Sequence, residues 1–435
     1  MSPLILGFSG MGVVLILLLL RMPVGAALAI VSLSGIAMLR SPEAALAALG
    51  AMPHDFAAHW SLSAIPMFLL MGALAHHSGL TSDLFRAARV WLNFLPGGVA
   101  IATNFACAGF AAMSGSSLAT ASAMGRLAVP DMLKLRYDPG LSTAVVAAGG
   151  TLGSLIPPSV LMIIYGWAAE QPINELLMAG ILPGILTAVI YSAMIIARCS
   201  ANPSLAPRSQ ERFTWAERID VVSRTWPVPL LFLAIVGGLY GGVVTATESG
   251  AFGALAVIVI TLFQGKLGWR ALWASIVEAL ETTASIFFVA IGAVLFSRFL
   301  AYCGVPAFLG GLITSNGVDP LVVVLGISVL YLVLGMFLDP IGLLLVTLPV
   351  VLPMFKAANL DLVWMGVIVI KYLEIGLLTP PVGMNAFVIK SVVGDLVPLS
   401  TIFRGLLWFL AAEVVVMVLL ISFPSISLFI PQLMR

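Results

Sequence analysis

An all-α polytopic membrane protein, with about ten transmembrane helices and two re-entrant hairpins arranged as inverted repeats, is predicted by three features of the sequence. The 435-residue chain is 61% hydrophobic and only 9% charged, whereas a soluble domain carries roughly a quarter charged residues. Apolar runs at 4–20, 24–39, 177–197, 227–244, 251–263, 284–296 and 405–422 approach the length of about 20 residues that crosses a bilayer. A stretch in the second half also repeats one in the first at a fixed offset. A membrane β-barrel would instead alternate polar and apolar residues. The net charge of +1 points to no nucleic acid. Cys107, Cys199 and Cys303 are too scattered for a disulfide framework or a metal site. The run at 4–20 lacks a basic segment before it and a small-residue cleavage site after it, so it reads as a first span and not a cleaved signal.

The ten crossings are predicted at 4–20, 24–40, 62–78, 141–166, 177–198, 227–246, 248–264, 281–301, 363–390 and 405–424. The apolar stretches 98–125 and 320–350 are interrupted by polar, Pro or Gly residues and are read as hairpins that return to the side they left. Cytoplasmic loops are enriched in Lys and Arg. The most basic loop, 198–224, holds Arg198, Arg208, Arg212, Arg218 and Arg224, and is set inside. Counting outward from it, 15 of the 20 basic residues face the cytoplasm and Lys371 lies in the membrane. Arg40, Arg298, Lys356 and Arg435 face out, and both termini fall on the outer side. Segment 81–98 mixes Arg with Phe and Trp and is predicted to lie along the interface. Segment 305–317 precedes the second hairpin in the same way, and such arms suit a link between a moving part and a static frame.

With an offset of 223 residues, "VPDMLKLRYDPGLSTAVVAAGGTLGSLIPPSV" falls without gaps on "LPMFKAANLDLVWMGVIVIKYLEIGLLTPPVG". Pro130 meets Pro353, Asp138 meets Asp361, Gly153 meets Gly376, and Pro157-Pro158 meets Pro380-Pro381. The same offset sets Ser116 on Asp339, and Gly79 meets Gly304 with a two-residue slip. The halves are 1–215, with its hairpin near 98–125 and broken helix near 141–166, and 216–435, with its hairpin near 320–350 and broken helix near 363–390. Five crossings per half invert the second copy, which is a design of secondary transporters.

The repeat carries the chemistry. Each Pro-Pro pair removes two amide donors and breaks its helix. Within a bilayer a broken helix is tolerated where it lines a cavity, and there it offers free carbonyls to a cation and free N–H groups to an anion. "AAMSGSSLATASAMG" supplies small oxygen-bearing side chains at the first tip: Ser114, Ser116, Ser117 and Thr120, with Gly115. Hydroxyl and carbonyl oxygens suit hard cations such as sodium. Two cation sites are expected, one from Ser114, Gly115, Ser116, Gly150, Gly153 and Pro157, the other from Gly335, Asp339, Gly376, Thr379 and Pro380. An anionic substrate is expected between the tips, near Ser116, Ser117, Thr120, Asp339, Pro340 and Asn385. Asp339 is a carboxylate in an apolar hairpin, a position that is functional by default. Lys371 and Glu374 lie three apart on one helix face and are expected to pair. Glu248, in "TATES", either lines the path or is simply solvated; with Lys371 and Glu374 it is a candidate for coupling.

An intramembrane serine hydrolase is the competing enzyme class. Ser114-Gly115 lacks the preceding Gly of a G-x-S-G nucleophile motif, and His54, His59, His76 and His77 cluster in the N-terminal fifth, near loop ends. A nucleophile needs a nearby base, so the enzyme class is set aside. No H-E-x-x-H occurs. Paired broken helices also fit alternating access better than a channel's static filter.

The stretches "RMPVGAALAI", "PGGVAIATNFACAGFAAMSGSSLATASAMG", "GGTLGSLIPPSVLMIIYG", "TATESGAFGAL", "GMFLDPIGLLLVTLPVVLPMF" and "EIGLLTPPVGMNAFV" resemble the large membrane subunit of tripartite ATP-independent periplasmic (TRAP) transporters, the DctM-like family, over about residues 4 to 425. "TATES" departs from that pattern, in which a second Pro would precede the Glu. The resemblance implies an ion-transporter-superfamily fold that moves as an elevator in a bacterial or archaeal inner membrane. It implies import of a C4-dicarboxylate, sialic acid or other carboxylate, with sodium as the coupling ion and no other cofactor. It also implies two partners, a DctP-like periplasmic binding protein and a DctQ-like four-helix subunit. With no four-helix extension before residue 4, that subunit is expected as a separate chain. Proton coupling, or transport without a binding protein, is the alternative within the superfamily.

Overall fold

The computed structural model describes residues 2–207 and 213–434; Arg208, Arg212 and Arg435 lie outside them. Among the described residues every regular element is helical. α1 (Pro3–Leu19), α2 (Val24–Leu39), α3 (Pro42–Ala57) and α4 (Ala64–His77) lead to a short amphipathic helix, α5 (Leu80–Leu92). α6 (Gly98–Ser114) and α7 (Ser117–Lys134) fold back on each other across Gly115 and Ser116. α8 (Pro139–Gly150) passes through a 3-10 turn and an irregular stretch into α9 (Val160–Ala169). α10 (Ile173–Ala179) and α11 (Ile181–Ala201) close the first half.

The second half runs through α12 (Trp215–Thr225), α13 (Pro227–Tyr240), α14 (Ala246–Phe263), the long α15 (Trp269–Cys303) and α16 (Val305–Ser315). α17 (Pro320–Gly335) and α18 (Pro340–Ala357) form the second folded-back pair. α19 (Leu362–Gly376), α20 (Met384–Val393), α21 (Leu399–Ser422) and α22 (Ser425–Met434) complete it.

Matched positions do matched jobs. Asp138 caps α8 by accepting from Leu141 N at 2.8 Å, and Asp361 caps α19 by accepting from Val363 N and Trp364 N at 2.9 Å. Ser116 caps α7 and Asp339 caps α18. Gly79 and Gly304 both take positive φ, 80° and 73°, where a side chain would be strained. Both Pro-Pro bonds are cis.

The halves pack on each other: α2 runs against α15, and α14 against α4. Small residues permit the approach; a Cβ on Gly292 would lie 2.5 Å from the Gly25 carbonyl oxygen. Two apolar cores result, one among α6–α8, α20 and α21, the other around α2, α4, α9, α15, α18 and α19. Large apolar side chains such as Ile16, Leu233, Phe252, Leu255, Val414 and Val418 point outward, as a lipid-facing surface requires.

By length and composition, five helical segments are able to cross a membrane alone, and seven if the bent pairs α3–α4 (58°) and α12–α13 (44°) each count as one. The predicted spans at 4–20 and 24–40 are the shorter apolar helices α1 and α2. α3 lies outside the ten predicted spans: Glu43, His54 and Asp55 interrupt its apolar pattern, and its alanines favour a helix. One predicted span needs correction. α15 begins at Trp269, not 281, because Glu278 and Glu281 interrupt the apolar run without breaking the helix.

Gly292→Ala is expected to lower the melting temperature of the purified protein, with an overpacking cost of about 1–3 kcal/mol. Gly311→Ala, which meets nothing within 4 Å, is the matched control and should leave it unchanged or raise it.

Candidate functional site

The first tip is held by backbone contact. Gly115 has φ 61°, and a Cβ there would lie 2.6 Å from the Pro158 carbonyl oxygen, so tip and break touch directly. A Cβ on Gly153 would lie 2.9 Å from the Ser116 carbonyl, and one on Gly150 would lie 3.0 Å from that of Ser117. Thr120 donates to the Ser116 carbonyl at 2.8 Å, which leaves Ser114 to donate to Thr120 at 2.9 Å. Ser159 donates to the Ser154 carbonyl at 2.6 Å, satisfying part of the broken backbone. Pro157 is buried within this contact.

The second tip and break meet in the same way. A Cβ on Gly376 would lie 2.7 Å from Gly335 Cα. Asp339 accepts from Gly342 N at 2.7 Å. Thr379 donates back to the Ile375 carbonyl at 2.7 Å, and Pro380 is exposed.

Glu374 joins the two halves. Ser117 Oγ donates to Glu374 Oε2 at 2.5 Å, and so accepts from Ser154 Oγ at 2.9 Å. Glu374 is wholly buried, and its Oε1 has no hydrogen-bond partner among the described residues. A cavity of about 110 Å³ is lined by Ser116 and Ser117, by Asp339 and Pro340, and by Ser154 and Glu374. Both tips and both broken helices therefore border one space.

Two predicted roles change, those of Lys371 and Asn385, and for Glu248 the solvated alternative holds. Lys371 does not pair with Glu374; its ammonium lies 2.6 Å from Glu413 Oε1 on α21, and both side chains are buried. Tyr191 on α11 donates to the same carboxylate. Tertiary packing turns Lys371 to α21 and Glu374 to the tip. Asn385 does not line the cavity; its amide donates to the Ala147 carbonyl at 2.9 Å and its backbone N–H to Leu377 at 3.1 Å, which ties the second break to α8. Glu248 closes a capping box at the start of α14, accepting from Thr245 N at 2.7 Å, and lines no part of this cavity.

Sequence reasoning passed over Glu413 and Ser154. Glu413 was findable as a lone carboxylate in a predicted span. Ser154 carries no local signal, because its role depends on Ser117.

The family model "Tripartite ATP-independent periplasmic transporter, DctM component" matches residues 11–426. The chain belongs to the DctM family. It is 32% identical to the C4-dicarboxylate TRAP transporter large permease protein of Pseudomonas aeruginosa, over 86% of this chain and 87% of that one. It is 31% identical to the sialic acid large permease protein of Vibrio cholerae, over 96% of each, and 34% identical to the ectoine/5-hydroxyectoine large permease protein of Ruegeria pomeroyi, over 86% of each. The DctM chain is thus a transport permease subunit and not an enzyme. Its fold is shared with the Alcanivorax borkumensis YdaH transporter, at TM-score 0.63 and 15% identity over 88% of this chain and 89% of that one.

In this DctM chain Lys371→Met strands a buried carboxylate and is expected to cost about 3–5 kcal/mol. Adding Glu413→Gln should recover most of the lost thermal stability in detergent. Equal loss in the single and double variants would count against the pair.

Proposed function

We propose that this DctM chain imports a small organic anion, driven by sodium, after delivery by a periplasmic binding protein. The observation that carries this reading is the single cavity bordered by both tips, both breaks and Glu374. Relatives named for C4-dicarboxylate and sialic acid transport support the substrate class.

Ser114, Gly115 and Ser116 of the first tip, with Gly150, Gly153 and Pro157 of the first break, supply one sodium site. Gly335, Asp339, Gly376, Thr379 and Pro380 supply the other. The anion lies between the tips against Ser116, Ser117, Asp339 and Pro340; Thr120, predicted beside them, is buried and bonded to the Ser116 carbonyl, so it shapes the tip instead. The unpartnered Glu374 oxygen is balanced by the bound cations, which couples their binding to that of the anion. Each sodium moving down 100 mV contributes about 2.3 kcal/mol. The two halves stand inverted in the inner membrane with both termini periplasmic. The folded-back pairs and broken helices carry the site across as an elevator, beside a four-helix subunit.

The test is uptake of labelled carboxylates into liposomes holding this chain and the small subunit, with and without the binding protein and a sodium gradient. Uptake should require all of them. Asp339→Asn removes a negative charge while keeping the cap, Ser117→Ala removes the hydrogen bond to Glu374, and each should raise the sodium concentration for half-maximal uptake about tenfold or more. Glu248→Gln should leave it unchanged. Uptake driven by a pH gradient alone would replace sodium with protons; uptake without the binding protein would remove that partner.

A further inference from the structure

The tip cavity has a larger neighbour. Ser116, Leu118 and Thr282 line the tip cavity and also line a chamber of about 420 Å³ between α7 and the helices α4 and α15. Ser122, His76, His77 and Glu278 give this chamber polar walls, and Arg126 stands in it. Arg126 also lines a third cavity, of about 540 Å³, that holds Arg86, Arg89 and Lys134 against Asp131 and Glu217. Three cavities thus lie in a row, neighbours at Ser116 and at Arg126.

Charge along the row is graded. The tip end carries the hydroxyls of Ser116, Ser117, Ser154 and Thr282 and the carboxylates of Asp339 and Glu374, which leave room for bound cations and give no basic group. In the chamber the one carboxylate, Glu278, lies 2.8 Å from His77 Nε2. In the third cavity Asp131 pairs with Arg89 at 3.0 Å, and Glu217 caps α12 through Thr214. Arg126 is exposed and has no ion-pair partner among the described residues. Leu118, Ser122 and Arg126 recur every fourth residue on α7, so the guanidinium shares a helix face with the chamber wall. Beyond the tips basic groups outnumber carboxylates in the third cavity, four to two, and such an excess concentrates anions.

We infer that this row of cavities is the exit route of the anionic substrate from the tips, with Arg126 as the residue that selects anions along it. The inference rests on the reading that the substrate sits at the tips.

The test needs no substrate. Cys107, Cys199 and Cys303 are buried, so the parent chain, purified with its small subunit, supplies the blank. Ser122→Cys on α7 and Thr282→Cys on α15 place a thiol on opposite walls. Each is labelled with an anionic and a cationic methanethiosulfonate reagent of similar size. A unit charge about 6 Å away in water shifts the local concentration of a monovalent ion about threefold. Arg126→Gln should therefore lower the anionic-to-cationic rate ratio at position 122 about tenfold, and Arg126→Lys should restore it. In liposomes Arg126→Gln should slow uptake several-fold while leaving its sodium dependence intact. A ratio that Arg126→Gln does not change at either position overturns the inference, as does absence of labelling at both positions in folded protein. Loss of sodium-driven uptake in the parent chain would instead overturn the reading of the tips, so the two failures are separable.

Discussion

Backbone N–H and C=O groups in hydrocarbon must find partners within the protein. The site exists because four interrupted helices meet that requirement with one another. Glycines at 115, 150 and 153 let the first tip lie directly on the first break, and Gly335 and Gly376 do the same in the second half. Ser159 takes up the Ser154 carbonyl, and the Asn385 amide takes up that of Ala147. Removing any one interruption would leave its partner's polar groups facing apolar side chains. The breaks are mutually dependent, which is why they come in matched pairs.

The parts legible in the sequence were those written in local chemistry. Proline pairs and a Ser/Gly cluster in an apolar chain report a break or a tip wherever they occur, and their 223-residue spacing tied the halves together. Gly79 with Gly304, and Asp138 with Asp361, were also readable because turns and caps are decided by a few neighbouring residues. Partners were not readable. Lys371 and Glu374 share a turn of helix, and spacing alone pairs them. The structure instead gives each a partner far away, Glu413 and Ser117. Asn385 looked like a ligand because it follows the break, but its amide is already engaged by the first half.

The buried charges follow the same division. Lys371 and Glu413 neutralise each other, with the Tyr191 hydroxyl on the same carboxylate oxygen. Burying a charge without a partner is expensive, so this pair reads as a strut joining α19 and α21. Glu374 accepts from Ser117, which Ser154 contacts, and has no Lys, Arg or His in ion-pair contact among the described residues. It borders the cavity that both tips share, where the proposed cations would balance it.

Movement of such a site requires that it be tied firmly to itself and loosely to its surroundings. The side-chain bonds that build it, Ser117 to Glu374, Asn385 to Ala147, Lys371 to Glu413, Tyr191 to Glu413 and Asn104 to Ala188, all run among α6–α8, α11 and α19–α21. Those of the other group run within it, His77 of α4 to Glu278 of α15, and Thr247 of α14 to Trp60 before α4. α5 is bonded to both: Asp83 pairs with Lys266 between α14 and α15, and Arg89 pairs with Asp131 of α7. Where the two groups touch, small and apolar residues meet, as at Gly72 against Ser114. Apolar contact has no direction and permits sliding, whereas hydrogen bonds and ion pairs fix geometry. The proposed elevator needs one rigid carrier, one rigid frame and a hinged link, and the distribution of polar bonds divides the helices along those lines.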